Sequence, residues 1–364
     1  MSPETQAESK KQIFIDALVR IGKIDVAIAP EIIAASTPEF AYRMRARFQI
    51  KHGGIGFFAP GTRRLIPLEG CLLVEEPISA AFSKIREFLK LEPVARWLEA
   101  VEISSLGATS DKEAGLFLYP TGWHDQGNGA LPKKTRRAWE AFSEKNGWPL
   151  AAAGDRRPDE PPSWKSRYEV ETPTGDQVAL QVSPESFLQP NRQVNQLIVR
   201  AVFEMAALPE GGRVLDLFCG SGNFAMPLAG RAGRIVGIES NPFAVKDAEA
   251  NAKQAGLDNA LFIKSEAGRA EADEILDALG GQPDLLILDP PRRGALETIP
   301  LAAALRASRI VYVSCNPATF ARDARDISLA GYRMEAALIA PMFTNTAHVE
   351  SVTSWALESN TAPR

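Results

Sequence analysis

Hydrophobic and polar positions are patterned differently in the two halves of this chain. In the second half, short apolar runs recur, and each is followed by a stretch with helical spacing. RVLDL at Arg213–Leu217 predicts a strand running into a glycine-rich turn, Cys219-Gly220-Ser221-Gly222-Asn223, with a helix to about Ala229 beyond it. RIVGI at Arg234–Ile238 predicts the next strand, and the helix expected over Phe243–Ala255 ends at Gly256. Leu261–Ile263, Asp284–Leu288 and Arg309–Val313 predict three more strands, and a helix opens near Pro317–Thr319. Two extended stretches follow, Arg333–Ile339 and His348–Leu357. Strands alternating with helices predict a parallel, doubly wound α/β sheet whose ligands meet the C-terminal ends of the strands.

The first half is less regular and predicts a mixed α+β region. Apolar spacing predicts a helix over Lys11–Ile21, with Gly22 standing where a helix stop is expected. Ala41–Lys51 alternates strictly, with Arg43, Arg45, Arg47, Gln49 and Lys51 on one face and Met44, Ala46, Phe48 and Ile50 on the other. That pattern is a half-buried strand with a basic outer face. Helical spacing returns at Ile78–Leu89. The stretch Gly127–Arg167 carries Lys133, Lys134, Arg136 and Arg137 and then the loop Gly154–Pro162. Two regions are expected, 1–180 for substrate recognition and 181–364 for the α/β domain, with the boundary near Gln181–Asn195.

Composition narrows the class. With 364 residues, 45% hydrophobic and 24% charged, the chain reads as globular and long enough for two domains. No stretch approaches the roughly 20 apolar residues of a membrane span, and the N-terminal MSPETQAESKK lacks a leader's apolar core. Three cysteines, Cys71, Cys219 and Cys315, provide neither a disulfide framework nor a four-cysteine metal site, so a reducing cytoplasm is expected. The net charge is −4, and residues 1–180 hold 24 basic and 24 acidic side chains. Contact with nucleic acid must therefore come from local patches, because bulk charge does not favour it.

The chemistry gathers at the predicted strand ends. Glycines after a strand let the backbone approach a ligand and free amide N–H groups at a helix start. Glu239, closing the second strand, can accept hydrogen bonds from both hydroxyls of a ribose. The turn is neither GxGxxG nor a Walker sequence, so phosphate cradling is not expected. Asp289-Pro290-Pro291-Arg292 ends the fourth strand, where the fixed φ of proline holds a carboxylate steady. Cys315, in Ser314-Cys315-Asn316-Pro317, lies between a strand end and a helix start. It is either a small buried residue or a nucleophile whose thiolate the helix N-terminus favours. Glu350, in His348-Val349-Glu350-Ser351, is a carboxylate in an apolar strand, either partnered or acting as a base. His348 reads as structural and Cys219 as packing.

Taken together, these residues resemble the RNA uracil-5-methyltransferase family of S-adenosylmethionine-dependent class I methyltransferases. The matching pieces are Ser186-Phe187-Leu188-Gln189-Pro190-Asn191, DLFCGSGNF, GIESN, LDPPRRG, VSCNP and HVESV, spread over Val182–Leu357. Weaker likeness extends back through YRMR, GFF and the region of Cys71. The resemblance implies a Rossmann-like methyltransferase domain with Gln189, Phe218, Asn223, Glu239 and Asp289 at the cofactor, Cys315 as nucleophile and Glu350 as general base. It also implies a structured RNA carrying an unstacked uridine as the partner. Arg43, Arg45, Arg47 and the Lys133–Arg137 cluster are candidates for its phosphates. No obligate protein partner is expected.

The chain departs from the family's pattern in two ways. It has no room for the small β-barrel with which many members begin. Of the four cysteines that hold an iron–sulfur cluster in many members, only the counterpart of the fourth, Cys71, is present. A [4Fe-4S] cluster is therefore not expected in this chain: either the natural start lies upstream of Met1, or the cluster was lost and Cys71 remains. Cluster-bearing members act on ribosomal RNA, so Cys71 favours that substrate over transfer RNA. The alternatives are an RNA cytosine-5-methyltransferase, which also uses a cysteine at C6, and a catalytically inactive RNA-binding relative.

Overall fold

The computed structural model describes residues 2–24, 28–33, 38–106, 114–120 and 131–358. Its strands are β1 (Glu31–Ile32), β2 (Arg45–Lys51), β3 (Gly54–Phe58), β4 (Leu65–Pro67), β5 (Leu98–Ser105), β6 (Ala114–Pro120), β7 (Leu150–Ala152) and β8 (Ser166–Glu171). They continue with β9 (Gln177–Val182), β10 (Gly212–Leu217), β11 (Ala232–Glu239), β12 (Ala260–Lys264), β13 (Leu285–Leu288), β14 (Arg309–Ser314), β15 (Tyr332–Ala340) and β16 (Glu350–Leu357).

The described residues of 1–37, 169–180 and 193–364 form one compact unit. Its eight-stranded sheet runs β1-β15-β16-β14-β13-β10-β11-β12. Strands β14, β13, β10, β11 and β12 are parallel, and β16 lies antiparallel between β14 and β15. Leu285–Leu288 and Ile310–Val313 are wholly buried, as expected of central strands covered on both faces. Gly237 lacks a Cβ because Phe262 and the Cys219 sulfur stand there, the latter 2.8 Å from where one would lie. Cys219 is thus buried packing against β11.

The N-terminal segment departs from the sequence-based division, which grouped all of 1–180. Its helix spans Pro3–Ala17, capped by the Ser2 hydroxyl, and begins well before the expected Lys11. Phe14 and Leu18, one turn apart, are fully buried in the α/β core, with Phe14 stacked on Phe320 at 5.3 Å. β1 then joins the sheet edge beside β15. Gly22 is not the stop: Lys23, at φ 54°, takes the left-handed turn. A Cβ on Gly22 would lie 2.7 Å from the Ala321 carbonyl oxygen, so glycine is there for close approach.

Residues 38–168 and 181–192 form the second unit. Its sheet runs β4-β3-β2-β5-β6-β7, antiparallel except for the β6–β7 pair. Phe48, Ile78, Phe82, Ile85, Leu89 and Trp139 fill one side of it. The basic face of β2 differs from the solvated face expected. Leu106, Phe117, Ala153 and Trp164 form a second apolar cluster, and Arg45 is only 8% exposed. Arg45 donates to Ser104 Oγ (2.7 Å) and to the Ser186 carbonyl (2.6 Å), and it lies 3.6 Å from Glu102. Arg47 stacks on Tyr119 at 3.4 Å, and Arg43 donates to the Arg45 carbonyl. Alternation alone does not reveal this seam, because the partner strand β5 supplies Ser104 and Glu102 opposite Arg45 and Arg47. Among the described residues, no helix is long and apolar enough to cross a membrane.

Candidate active site

Every predicted cofactor residue except Gln189 belongs to the α/β unit, at or just beyond the C-terminal ends of its parallel strands. After β10, the amides of Phe218 and Cys219 both donate to the Ile238 carbonyl, at 2.9 and 3.1 Å, folding the turn onto the end of β11. Phe218 takes φ 68° and Gly222 φ 93°, which admits the bend. Glu239 Oε2 accepts from the Gly220 amide (3.2 Å), and Oε1 accepts from the Asn241 amide (2.7 Å) and the Ser240 hydroxyl (3.2 Å). The carboxylate is thereby held in one orientation, and a carboxylate has about four lone-pair sites in all. It borders a cavity of about 180 Å³ whose walls include Phe218, Ser265, Glu266, Ala267 and Leu296. An acceptor for vicinal hydroxyls between an aromatic ring and aliphatic walls is the chemistry a nucleoside needs.

Asn223 is placed otherwise. Its side-chain amide exchanges two hydrogen bonds with that of Asn195, at 2.9 and 3.0 Å, tying the glycine turn to helix Arg192–Ala206. Gln189 lies in the second unit, 9% exposed.

The candidate nucleophile and base come together through the strand order. Ser314 pairs with Ser351 in the antiparallel β14–β16 ladder, which brings Cys315, just past the end of β14, close to Glu350 at the start of β16, where the two groups interact electrostatically. Glu350 is 4% exposed, and Cys315 is half-buried. Asp289 follows β13, the neighbour of β14. Burial pushes Asp289 up to about 7, with Glu239 adding to the rise. Burial likewise pushes Glu350 up to about 8, reinforced by Asp289 and opposed by Arg292 and Lys10.

At Cys315 the thiolate that a helix start would favour is not the resting form: the thiol is pushed up to about 11. Burial is the main cause, followed by Glu350 and Asp289, and these outweigh Arg292 and a backbone hydrogen bond. The helix N-terminus does not prevail, and the Ala318 amide there is taken by the Asn316 side chain at 3.1 Å. Without ligand, the cluster holds protons that a cationic ligand would help to release.

Several supporting residues carry no motif. The loop after Asp289 is pinned by helix Pro317–Leu329 and its cap. Asn316 and Thr319 donate to the Arg292 carbonyl (3.0 and 3.1 Å), and Arg322 donates to that of Arg293 (2.9 Å). Asp323, fully buried, accepts from the Ala295 amide (2.6 Å) and the Tyr312 hydroxyl (2.8 Å). A signal existed: Asp323 falls on the apolar stripe of Phe320, Ala324 and Ile327. His348, read as structural, lies with Nε2 at 3.3 Å from Arg292 Nη2.

In the second unit, Lys133, Lys134 and Arg137 are exposed on helix Lys133–Asn146, whereas Arg136 pairs with Asp155. Residues 127–130 of the stretch expected to carry them lie outside the described residues. Cys71 is half-buried against the apolar core.

Comparison with known proteins adds four findings. The family model described as tRNA (Uracil-5-)-methyltransferase matches residues 169–356. The chain is 35% identical over 339 residues to the 23S rRNA (uracil(1939)-C(5))-methyltransferase of Pseudomonas aeruginosa, covering 89% of this chain and 70% of that protein. It is 33% identical over 361 residues to the protein of the same name from Alkalilimnicola ehrlichii, covering 97% and 78%. The fold resembles the crystal structure of Pyrococcus abyssi tRNA (uracil-54, C5)-methyltransferase in complex with S-adenosyl-L-homocysteine. That match has a TM-score of 0.70 and 23% identity, over 98% of this chain and 84% of that one.

Proposed function

The chain belongs to the tRNA (uracil-5-)-methyltransferase family, and we propose that it methylates C5 of a uridine in ribosomal RNA through a covalent bond between Cys315 and uracil C6. It is an RNA (uracil-5-)-methyltransferase dependent on S-adenosylmethionine. The observation that carries the mechanism is the neighbouring pair Cys315 and Glu350, with Asp289 beside them at the sheet edge that bears the Glu239 cavity.

S-adenosylmethionine fits the residues present. Its ribose carries a hydroxyl for the acceptor site that Glu239 has left, and a second if Ser240 gives way, and its positive charge suits a site holding Glu239 and Asp289 together. Phe218 is the remaining position of this unit assigned to it, beside a turn that Asn223 ties to Asn195. When bound, it supplies a methyl group on a positively charged sulfur. Glu239→Ala is expected to weaken its binding by about 10- to 100-fold, as befits loss of ~1.5–3 kcal/mol of charge-assisted hydrogen bonding. Titration calorimetry reads this, and an unchanged affinity would remove Glu239 from the site.

Uracil C5 is a poor nucleophile until C6 is attacked. The Cys315 thiol gives up its proton to solvent, its sulfur bonds to C6, and the electron pair of the C5–C6 double bond makes C5 an enolate carbon. Once C5 carries the methyl group, its hydrogen is still present. Glu350 takes that hydrogen as a proton, the C5–C6 double bond re-forms, and the C6–sulfur bond breaks to return the cysteine. Both ring faces must be reached, so the uridine must leave its stack. A Glu350 carboxyl pushed up to about 8 suits a group that takes and returns a proton near neutrality.

Ribosomal RNA is favoured by the names of the bacterial relatives, which specify uracil 1939 of 23S rRNA. The test incubates separated ribosomal and transfer RNA, from cells lacking the gene, with the protein and deuterated-methyl S-adenosylmethionine. Nucleoside mass spectrometry should find labelled 5-methyluridine in ribosomal RNA. Label confined to transfer RNA would overturn the substrate, and labelled 5-methylcytidine would overturn the reaction.

A further inference from the structure

The N-terminal helix carries two polar side chains that the packing of its apolar face does not explain. Gln6, Lys10 and Phe14 are spaced one turn apart along one ridge of helix Pro3–Ala17, and Phe14 is in the core. Lys10 is only 5% exposed, unusual for an ammonium group. Both polar residues reach the segment 341–349 that leads into Glu350. Gln6 exchanges two hydrogen bonds with Asn345: its Nε2 donates to Asn345 Oδ1 at 3.1 Å, and its Oε1 accepts from the Asn345 amide at 2.7 Å. Asn345 sits at φ 59°, a left-handed turn that this clamp holds in place. Lys10 Nζ donates to the Phe343 carbonyl at 2.5 Å. Phe343 in turn packs edge-on against His348, which lies beside Arg292.

We infer that Gln6 and Lys10 are positioning residues for Glu350: Gln6 fixes the segment that delivers the base, and Lys10 sets the charge facing its carboxylate. The inference rests on the proposal that Glu350 removes the C5 proton. Glu350 is faced by Asp289 from the end of β13, Arg292 from the loop beyond it, Cys315 from the end of β14 and Lys10 from the N-terminal helix. His348, on its own segment, lies beside Arg292. Of these, Asp289 raises the proton affinity of Glu350, whereas Arg292 and Lys10 lower it. Burial and the neighbouring Glu350 act in opposite senses on Lys10, and burial prevails, leaving its ammonium below the usual lysine range. When Glu350 is ionised, Lys10 and Arg292 are the cationic groups that favour its charge among the described residues. The helix thereby tunes the last chemical step from the other end of the chain.

The test separates proton removal from methyl transfer. Ribosomal RNA carrying tritium at uracil C5 reports the proton by tritium release, and carbon-14 in the cofactor methyl reports transfer. In single turnovers, Lys10→Met should shift the pH midpoint of tritium release upward by about one unit, a tenfold loss at pH 7. Methylated RNA should then stay covalently attached to the protein on a denaturing gel. Lys10→Arg should restore the midpoint, a rescue that a merely structural role does not predict. Gln6→Ala should slow release without moving its midpoint, since it removes no charge. An unmoved midpoint in folded Lys10→Met overturns the inference. If Lys10→Met does not fold, Lys10→Gln takes its place. If neither folds, Lys10 is a structural residue and the inference falls. Methyl incorporation without tritium release by the unaltered protein would instead overturn the proposed role of Glu350.

Discussion

Replacing Cys315 with alanine is expected to lower methyl incorporation by about 10⁴-fold or more, the scale of losing a covalent nucleophile. Without sulfur at C6, uracil C5 does not become nucleophilic, and no neighbouring group supplies an equivalent. Glu350 and Asp289 are both carboxyls under pressure to stay protonated. Cofactor affinity should stay near that of the unaltered protein, because the Glu239 cavity is lined by other residues. Folding should also survive, since Cys315 is half-buried and alanine retains its Cβ. Single-turnover labelling with tritiated methyl, alongside calorimetry with the cofactor, checks both halves. Incorporation within tenfold of the unaltered protein would remove Cys315 from the chemistry. Burial, with Glu350 and Asp289, pushes the free thiol up to about 11, so on the proposed mechanism Cys315 is protonated before substrate binds.

Glu350→Gln is expected to fail differently. Transfer of the first methyl group should proceed, while release slows by about 10²- to 10⁴-fold, the usual contribution of a positioned base. Label should therefore accumulate as one methylated RNA bound per protein, visible as a shifted band under denaturing conditions. Free labelled RNA released at the unaltered rate would exclude Glu350 as the base. The same substitution carries a pH signature in stability. The folded pKa of Glu350, about 8, lies above the ordinary carboxyl value, so the folded state binds the extra proton. Its contribution to stability is complete below that ordinary value and is lost as pH rises through about 8. The glutamine variant lacks this loss, and its Tm should fall less between pH 6 and 9.

Much of the α/β unit was legible from residue order alone. Short apolar runs ending in Gly220, Glu239, Asp289 and Cys315 marked both the strands and the edge where ligands meet them, because central parallel strands must be apolar throughout and their C-terminal ends must not. Residue type also carried the candidate chemistry: a thiol before a helix, a carboxylate within an apolar strand, and an acidic residue closing the second strand. These are local properties, written in a few consecutive residues.

Four features needed the folded chain, because each depends on residues distant in sequence. The antiparallel insertion of β16 beside β14 brings Glu350 close to Cys315. Nothing in HVESV alone specifies which strand it joins. The charge states reversed for the same reason: a helix start by itself favours a thiolate, but Glu350 and Asp289 arrive from other strands and burial adds to them. The arginines of β2 looked solvated because alternation counts only one buried face, whereas Trp164 and its neighbours cover the other. Lys10 and Gln6 preceded the expected helix start at Lys11, and only the longer helix Pro3–Ala17, anchored by Phe14, turns both toward the segment before Glu350. Hydrophobic periodicity is set by neighbours along the chain, whereas proton affinity and facing side chains are set by neighbours in space, and only the packed sheet and helices supply those.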